Sequence, residues 1–276
     1  MKSALIYIMV RVRVALKIGY IGTNYYGFQI QPDVPTIEAE IFRALEELDI
    51  IKSRRDAHFS YAGRTDRGVH ARSQVISFDA TREISPRMLN SALPDDIFAY
   101  AVAYPPQKFN ARKDATSRTY RYFLFAPDLS IERMRSAASL FEGVHDFSNF
   151  AELDKERRSP IRHVLRLEVR RRGDFVVFDV CARSFLRKMV RKIVAALACI
   201  GRGEKDEAWL EDLLAVRVRE FIKPVPPFGL VLWDVQYSRD VEFEEDAYAL
   251  EKINEKLSEQ FIFHRTLSAV FRDLME

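Results

Sequence analysis

A short loop that is bracketed by two glycines and contains one aspartate constrains which secondary structure can flank it. Gly63 and Gly68 stand on either side of Asp66. Residues 58–62 have the composition of a strand, and residues 73–78 alternate apolar and polar side chains. Asp66 is therefore predicted to lie in a tight loop between two strands. Because glycine adopts backbone conformations closed to other residues, such a loop can bring its main chain against a ligand.

The residues alone leave two interpretations of Asp66 open. Aspartate is common in solvated hairpin turns, where it has no chemical role. The alternative is a nucleophilic or acid–base carboxylate, for which Arg64 and Arg67 favour the ionised form by charge proximity.

The chain contains the same arrangement of strands and helices twice. The first half is predicted as strand, helix, two strands, helix and strand, at residues 10–18, from 35, and at 58–62, 73–78, 86–93 and 97–102. The second half has strands at 119–125, 164–171, 175–181 and 229–237, and helices at 130–140, 185–200 and 207–215. Each half is a split βαβ, ferredoxin-like unit. The predicted fold class is α+β, with two ferredoxin-like halves whose mainly antiparallel sheets flank a central basic active-site cleft, and a C-terminal helical tail.

The predicted organisation has four parts: an N-terminal half at 1–104, a linker at 105–115, a C-terminal catalytic half at 116–238 and an acidic tail at 239–276. The tail is predicted to form one or two helices, at 247–257 and 261–274. The net charge is only +3, yet the tail has five Lys or Arg against ten Asp or Glu. The tail thus contributes −5, and residues 1–238 carry +8. This asymmetry suits a body that binds a polyanion, although the same charges also serve solubility.

Two features restrict the class of protein. Cys181 and Cys199 have no metal-ligand spacing, which argues against a disulfide framework or a zinc knuckle. The apolar stretch within residues 1–18 is interrupted by basic residues and has no small-residue cleavage site, so it predicts neither a signal peptide nor a membrane span. We expect a cytoplasmic protein.

Aromatic and amide side chains suited to RNA occur at two places. The glycine-rich segment 19–31 has rings that can pack in the core or stack on bases, and Gln29 offers hydrogen bonds. In the strand that follows the linker, we expect two tyrosines on one face and two arginines on the other: Tyr120 and Tyr122 opposite Arg118 and Arg121. Strand tyrosines usually belong to the core, but a ring against a base is also a common way to hold it.

The segment 183–192 has five basic residues and no acidic one. It is predicted to enter the helix 185–200, with Arg187 and Arg191 four residues apart on one face. Such charge usually forms a solvated helix face. The alternative is a helix that grips phosphates and offers one arginine to a partner carboxylate.

Residues 62–71 resemble the signature loop of the TruA family of transfer-RNA pseudouridine synthases. The family's other sequence blocks are also present and in the family's order, at 19–31, 109–112, 118–122, 145–150, 184–191 and 227–230. Ile21 and Phe28 depart from the first of these blocks, where the family commonly has Asp and Trp. The resemblance covers residues 10–238 and identifies an archaeal-like or divergent member.

The resemblance implies an enzyme that isomerises uridine to pseudouridine at tRNA positions 38, 39 or 40, in the anticodon stem-loop, without metal or organic cofactor. It implies Asp66 as the nucleophile, Tyr120 packed on the target base, and Arg191 paired with Asp66. Breaking a glycosidic C–N bond builds positive charge on the sugar, which a carboxylate can stabilise or capture. The uridine must first leave the base stack, and Arg64 resembles the family's flipping arginine.

The same resemblance implies tRNA as the partner and a homodimer as the working form. We expect RNA contacts from Arg64, Gln29, Arg112, Arg121, Arg187 and Lys188. Arg67 stands where many relatives have a small residue, and the acidic tail lies outside the shared blocks. Both departures bear on the choice of target.

Three rival interpretations remain at this point. The first is a member of the same family with other or broader RNA targets. The second is a non-catalytic RNA-binding protein on the same scaffold, against which the intact Asp66, Tyr120 and Arg191 argue. The third is a metal-dependent hydrolase that uses Asp66 and His70, which needs further ligands at a spacing the sequence does not offer.

Overall fold

The computed structural model describes residues 11–152 and 159–275, and the elements named below lie within these ranges. The strands are β1 (Val12–Tyr20), β2 (Ser60–Tyr61), β3 (His70–Ala80), β4 (Ile97–Ala103), β5 (Ser117–Phe125), β6 (Gly143–Asp146), β7 (Ile161–Arg172), β8 (Phe175–Ala182), β9 (Leu230–Gln236) and β10 (Glu244–Glu245). The helices are α1 (Ile37–Glu47), α2 (Pro86–Asn90), α3 (Ile131–Ala138), α4 (Met189–Arg202), α5 (Glu207–Leu214) and α6 (Ala247–Asp273). The strands form one sheet in the order β10-β4-β1-β3-β9-β5-β8-β7-β6, and β2 pairs with β3 beside this path.

The first half of the sheet has the order β4-β1-β3-β2, and every neighbouring pair is antiparallel. This is the order that a split βαβ unit produces, because each helix crosses between two strands that leave room for a third. α1 follows Thr36 and buries the apolar face predicted for it, including Ile37, Ile41 and Leu45. The predicted strand at 10–18 is present as β1, and residue 10 lies outside the described residues.

The second half repeats this order as β9-β5-β8-β7, again antiparallel, with β6 added at the edge of β7. The predicted α+β class and its mainly antiparallel pairing are confirmed. The two strand sets are joined into one sheet by a short parallel pairing of His70 with Val231 and Ala71 with Leu232. This junction forms because β3 begins at His70, earlier than the predicted strand at 73–78, and its first residues reach β9.

α4 begins at Met189, so the predicted helix at 185–200 starts four residues too early. Lys188 has a left-handed backbone with φ of 60°, which an α-helix of L-residues does not tolerate in its interior. Arg187 instead forms an isolated bridge with Glu152, whose N–H lies 3.0 Å from the Arg187 carbonyl oxygen. The expectation that Arg187 and Arg191 share a helix face is therefore wrong.

The acidic tail, for which one or two helices are predicted, forms a single helix, α6, because no glycine or proline interrupts residues 257–261. Asp246 caps this helix through the N–H of Ala249 at 3.1 Å and pairs with Arg87 of α2 at 2.9 Å. Ile253 is buried in a small cluster with β4. Beyond Lys256 almost every side chain of α6 is exposed.

None of the helices in the described ranges is long and apolar enough to cross a membrane. Much of the apolar stretch at 1–18 falls in residues 1–10, outside the described part of the chain. The division at 104, 115 and 238 stays a prediction.

Candidate active site

The loop that carries Asp66 packs backbone against backbone on the segment 19–31. Gly27 has φ of 105°, and a β-carbon added there would lie 2.9 Å from the carbonyl oxygen of Thr65. Gly68 also has a positive φ, of 74°. Glycine meets both demands, because it lacks the β-carbon that disfavours positive φ and blocks close approach.

Side chains from β1 and β3 fix the loop further. The Gln74 side-chain amide donates to the carbonyl oxygen of Gly63 at 2.5 Å and accepts from the Gly63 N–H at 3.1 Å. The buried hydroxyls of Tyr20 and Thr65 lie 2.8 Å apart. Asp66 therefore projects from a main chain that is held on both sides of it, which is how a reactive group is preorganised.

Two guanidinium groups lie near the Asp66 carboxylate. Arg191 Nη1 is 3.9 Å from Oδ2, and Arg187 Nε is 3.8 Å from Oδ1. Both distances exceed hydrogen-bonding length, so the cations orient the carboxylate without occupying its oxygen atoms. The Asp66 side chain is 27% exposed, which leaves it open to a ligand.

Arg191 is itself held in place. Its Nε donates to the Val225 carbonyl oxygen at 2.7 Å. Burial lowers the pKa of the Arg191 guanidinium, and the nearby Asp66 opposes that shift. Arg191 thus presents Nη1 to Asp66 from a fixed position.

The Tyr120 ring lies against the same loop. A β-carbon added at Gly63 would be 3.2 Å from the Tyr120 hydroxyl, and the ring meets Phe185 edge-on with centroids 5.0 Å apart. Burial raises the pKa of the Tyr120 phenol, and the charge of Asp66 raises it further. The structure therefore brings Asp66, Tyr120 and Arg191 together from three separate parts of the chain.

Comparisons with known proteins show which family the chain resembles. A family model described as tRNA pseudouridine synthase matches residues 137–238. A tRNA pseudouridine synthase A from Methanocella arvoryzae is 42% identical over 96% of this chain and 98% of its own length. A protein of the same name from Methanosarcina acetivorans is 44% identical over 95% of this chain and 98% of its own.

This chain belongs to the tRNA pseudouridine synthase A family. The solved structure titled "Crystal Structure of a Cbf5-Nop10-Gar1 Complex" also matches, over 67% of this chain and 54% of that chain, with a TM-score of 0.32 and 16% identity. At that level the likeness adds nothing to the family assignment.

Most of the residues predicted to contact RNA are exposed around the site of this synthase family member. Arg64 and Gln29 are exposed on the Asp66 loop and on the segment 19–31, and Arg112 is exposed in the linker. Arg187 is exposed beside Asp66, and Lys188 is half-buried. Arg67, which follows Asp66 in the sequence, has its guanidinium 4.0 Å from the centre of the Tyr26 ring.

Arg121 lies on the other face of β5, away from Tyr120. Its guanidinium makes two hydrogen bonds to Asp179, at 2.6 and 2.9 Å, and stacks on Trp233 at 3.6 Å. The structure therefore does not bring Arg121 to the Asp66 site. The expectation that Arg118 shares its face with Arg121 is wrong, because residues two apart on a strand point the same way and Arg118 accompanies Tyr120.

Glu152 also lies at this site, although no sequence pattern predicts it. Its carboxylate lies 3.3 Å from Arg187 Nε and pairs with the Lys188 ammonium. These contacts lower the pKa of the Glu152 carboxyl, chiefly through the Lys188 hydrogen bond. Glu152 thus competes with Asp66 for Arg187. No local pattern marks this residue, since it meets the basic segment only through folding.

His70 is used for structure in the described fold. Its Nδ1 accepts from the Gly22 N–H and its Nε2 lies against the Phe228 carbonyl oxygen, each at 3.1 Å. This pattern requires the neutral ring with the proton on Nε2. Burial lowers the pKa of His70, in agreement with that state. His70 therefore bridges the two halves at the β3–β9 junction, and both ring nitrogens are engaged away from Asp66.

Within residues 11–152 and 159–275, no three His, Cys, Asp or Glu side chains are grouped so as to hold a metal ion. The expected lack of a cofactor stays a prediction.

Proposed function

We propose that this chain isomerises uridine to pseudouridine in tRNA, with Asp66 as the nucleophile. Its family supports the reaction and the class of substrate. The observation that supports Asp66 as the nucleophile is the way its carboxylate is presented. It projects from a pinned loop between Arg187 and Arg191, with both oxygens clear of hydrogen bonds to those cations.

The reaction breaks the bond between uracil N1 and ribose C1′ and forms one between uracil C5 and C1′. C5 loses a proton and N1 gains one, so the conversion needs no oxidant or reductant. Positive charge develops on the ribose as N1 leaves, and the Asp66 carboxylate stabilises or captures it. Three routes start from the same carboxylate: attack at C1′, removal of a sugar proton to give a glycal, and addition to C6 of uracil.

The neighbouring residues have distinct proposed roles. Tyr120 packs on the target base, and Arg191 orients Asp66. Arg64, exposed on the same loop, enters the stack in place of the flipped uridine. Arg187, Lys188, Arg112 and Gln29 contact the RNA around this opening. Arg121 has no part in this set, because Asp179 and Trp233 engage it on the opposite face of the sheet.

The proposed targets are uridines 38, 39 and 40 of the anticodon stem-loop, modified by a homodimer in the cytoplasm. Other or broader RNA targets within the same family are the alternative. A non-catalytic RNA-binding protein is the second alternative, and the preorganised Asp66 loop argues against it, since binding alone does not need a carboxylate held this way.

The test is pseudouridine mapping of an unmodified tRNA transcript after incubation with the wild type or with Asp66→Asn. Asparagine is nearly isosteric but is neither nucleophile nor base. We expect pseudouridine on the 3′ side of the anticodon arm with the wild type alone, and equal tRNA binding by both proteins. Modification elsewhere would overturn the target, and turnover by Asp66→Asn would overturn the nucleophile. Binding without any modification would favour the RNA-binding alternative.

A further inference from the structure

The Arg118 guanidinium is buried beside the site, and all five of its N–H groups are used. Nε and Nη2 both donate to the Ala62 carbonyl oxygen at 3.1 Å, and Nη2 also donates to the Arg112 carbonyl oxygen at 2.5 Å. Nη1 donates to the carbonyl oxygens of Arg183 at 2.7 Å and Ala115 at 3.3 Å. A guanidinium has five donors in a fixed planar fork, so this set of four carbonyl groups matches its full capacity.

The four carbonyl groups belong to three separate segments of the chain, which Arg118 joins. Ala62 directly precedes the Asp66 loop, and Arg112 and Ala115 lie in the linker between the two halves. Arg183 begins the turn from β8 to α4, which carries Arg187. Arg118 stands on β5 of the second half and so ties the loop of the first half to the cations of the second.

Arg118 is a costly residue to place here. Arg118 is 8% exposed, and the charged neighbours that affect its pKa include no carboxylate among the described residues. Burial lowers the pKa of its guanidinium, since water no longer stabilises the charge. Burying this cation has a desolvation cost that an apolar side chain of the same volume would avoid, and its five hydrogen bonds offset that cost.

We propose that Arg118 is a positioning residue for the reaction. By holding three segments on one guanidinium group, it sets the distance between Asp66 and the two arginines Arg187 and Arg191. This inference rests on the proposed role of Asp66. Arg118 itself touches neither Asp66 nor, in this proposal, the substrate. Lysine keeps the charge but has three donors on a single nitrogen, and it cannot reach carbonyl groups on three segments at once.

The experiment compares Arg118→Lys and Arg118→Ala with the wild type in single-turnover pseudouridine formation at saturating tRNA, together with the tRNA Kd. We expect the rate to fall by about 10- to 100-fold, the range that small misplacements of reacting groups produce, with Kd changed less than about threefold. Guanidinium ion, well below denaturing concentrations, should restore part of the rate to Arg118→Ala, and methylammonium should not.

Arg13→Lys is the matched control. Arg13 is also buried, and it donates to the carbonyl oxygens of Phe109 and His58 and to the side chains of Ser77 and Asp79. Phe109 lies in the linker, but none of the four residues lies in the Asp66 loop or the 183–191 segment. We expect Arg13→Lys to lose about as much thermal stability as Arg118→Lys but to keep most of the rate of pseudouridine formation. Equal rate losses in the Arg13 and Arg118 variants, or a wild-type rate in Arg118→Lys, would overturn the positioning role.

The two proposals fail separately. If Arg118→Ala does not fold, the rate and Kd of Arg118→Lys decide the question alone. Turnover by Asp66→Asn would overturn the proposed role of Asp66 as the nucleophile, whatever the Arg118 variants do. If Asp66→Asn is inactive and Arg118→Lys is fully active, only the inference about Arg118 is overturned.

Discussion

Arg191 Nη1 lies 3.9 Å from Oδ2 of Asp66, although the two residues belong to different halves of the chain. α4 carries the arginine and the loop before β3 carries the carboxylate. Their separation therefore depends on how the β3–β9 junction aligns the two halves.

Arg191→Lys should lower turnover by about 100-fold, a cost typical of removing one preorganised electrostatic contact. Lysine retains the charge, but one ammonium cannot both donate to the Val225 carbonyl oxygen and face Asp66. Single-turnover rates measure the effect. Arg202→Lys, at the far end of α4 beside Glu204, is the control and should keep the wild-type rate. Equal rates for both variants would show that Arg191 does not orient Asp66.

Glu152→Gln should tighten tRNA binding and steepen its dependence on salt. The substitution removes the carboxylate that pairs with Arg187 and Lys188, so both cations become available to phosphates. Arg187→Ala should do the opposite and lower the slope of log K against log salt by about one. Binding titrations over a range of salt concentrations would measure both slopes. Identical slopes for the wild type and the two variants would place these charges away from the RNA.

His70 should make the protein less stable in mild acid. Burial lowers its pKa in the folded state, so below about pH 6.5 the unfolded chain binds a proton that the folded chain excludes. The stability from His70 is therefore complete above that pH and is lost as pH falls towards the folded pKa. Urea unfolding at several pH values should show this slope in the wild type and a smaller slope in His70→Gln. An unchanged slope in the variant would mean that His70 is not the responsible group.

Ending the chain after Lys256 should leave both stability and modification nearly unchanged. Residues 257–275 are almost entirely exposed, whereas the contacts that attach α6 involve Asp246, Ile253 and Lys256. We expect a change in Tm of less than about 2 °C, which for a chain of this size corresponds to about 1 kcal/mol or less. Asp246→Ala, which removes the helix cap and the Arg87 pair, is the contrasting variant and should lower Tm. A large loss of stability on truncation would show that the outer half of α6 packs against another surface.

The local pattern of the sequence accounts for much of the fold. Alternation predicts β1 and the hairpin of β7 and β8, and apolar spacing predicts α1, because these elements depend on which neighbouring side chains face the core. Gly63 and Gly68 around Asp66 predict the loop, since backbone conformation is a local property. The order of elements then leads to two ferredoxin-like halves, and the arrangement of β1 to β4 and of β5, β7, β8 and β9 agrees.

Tertiary structure alone decides how the halves meet and which distant groups share the site. β3 pairs with β9 across 161 positions of the chain, from His70 to Val231, and no periodicity encodes that pairing. Glu152 reaches Arg187, and Arg118 reaches carbonyl groups on three segments, only once those segments are folded. Main-chain carbonyl groups are the same in every residue, so a sequence does not show which of them will converge on a buried cation. Local patterns therefore specify the elements and the reactive loop, and the long-range hydrogen bonds specify the geometry in which the loop works.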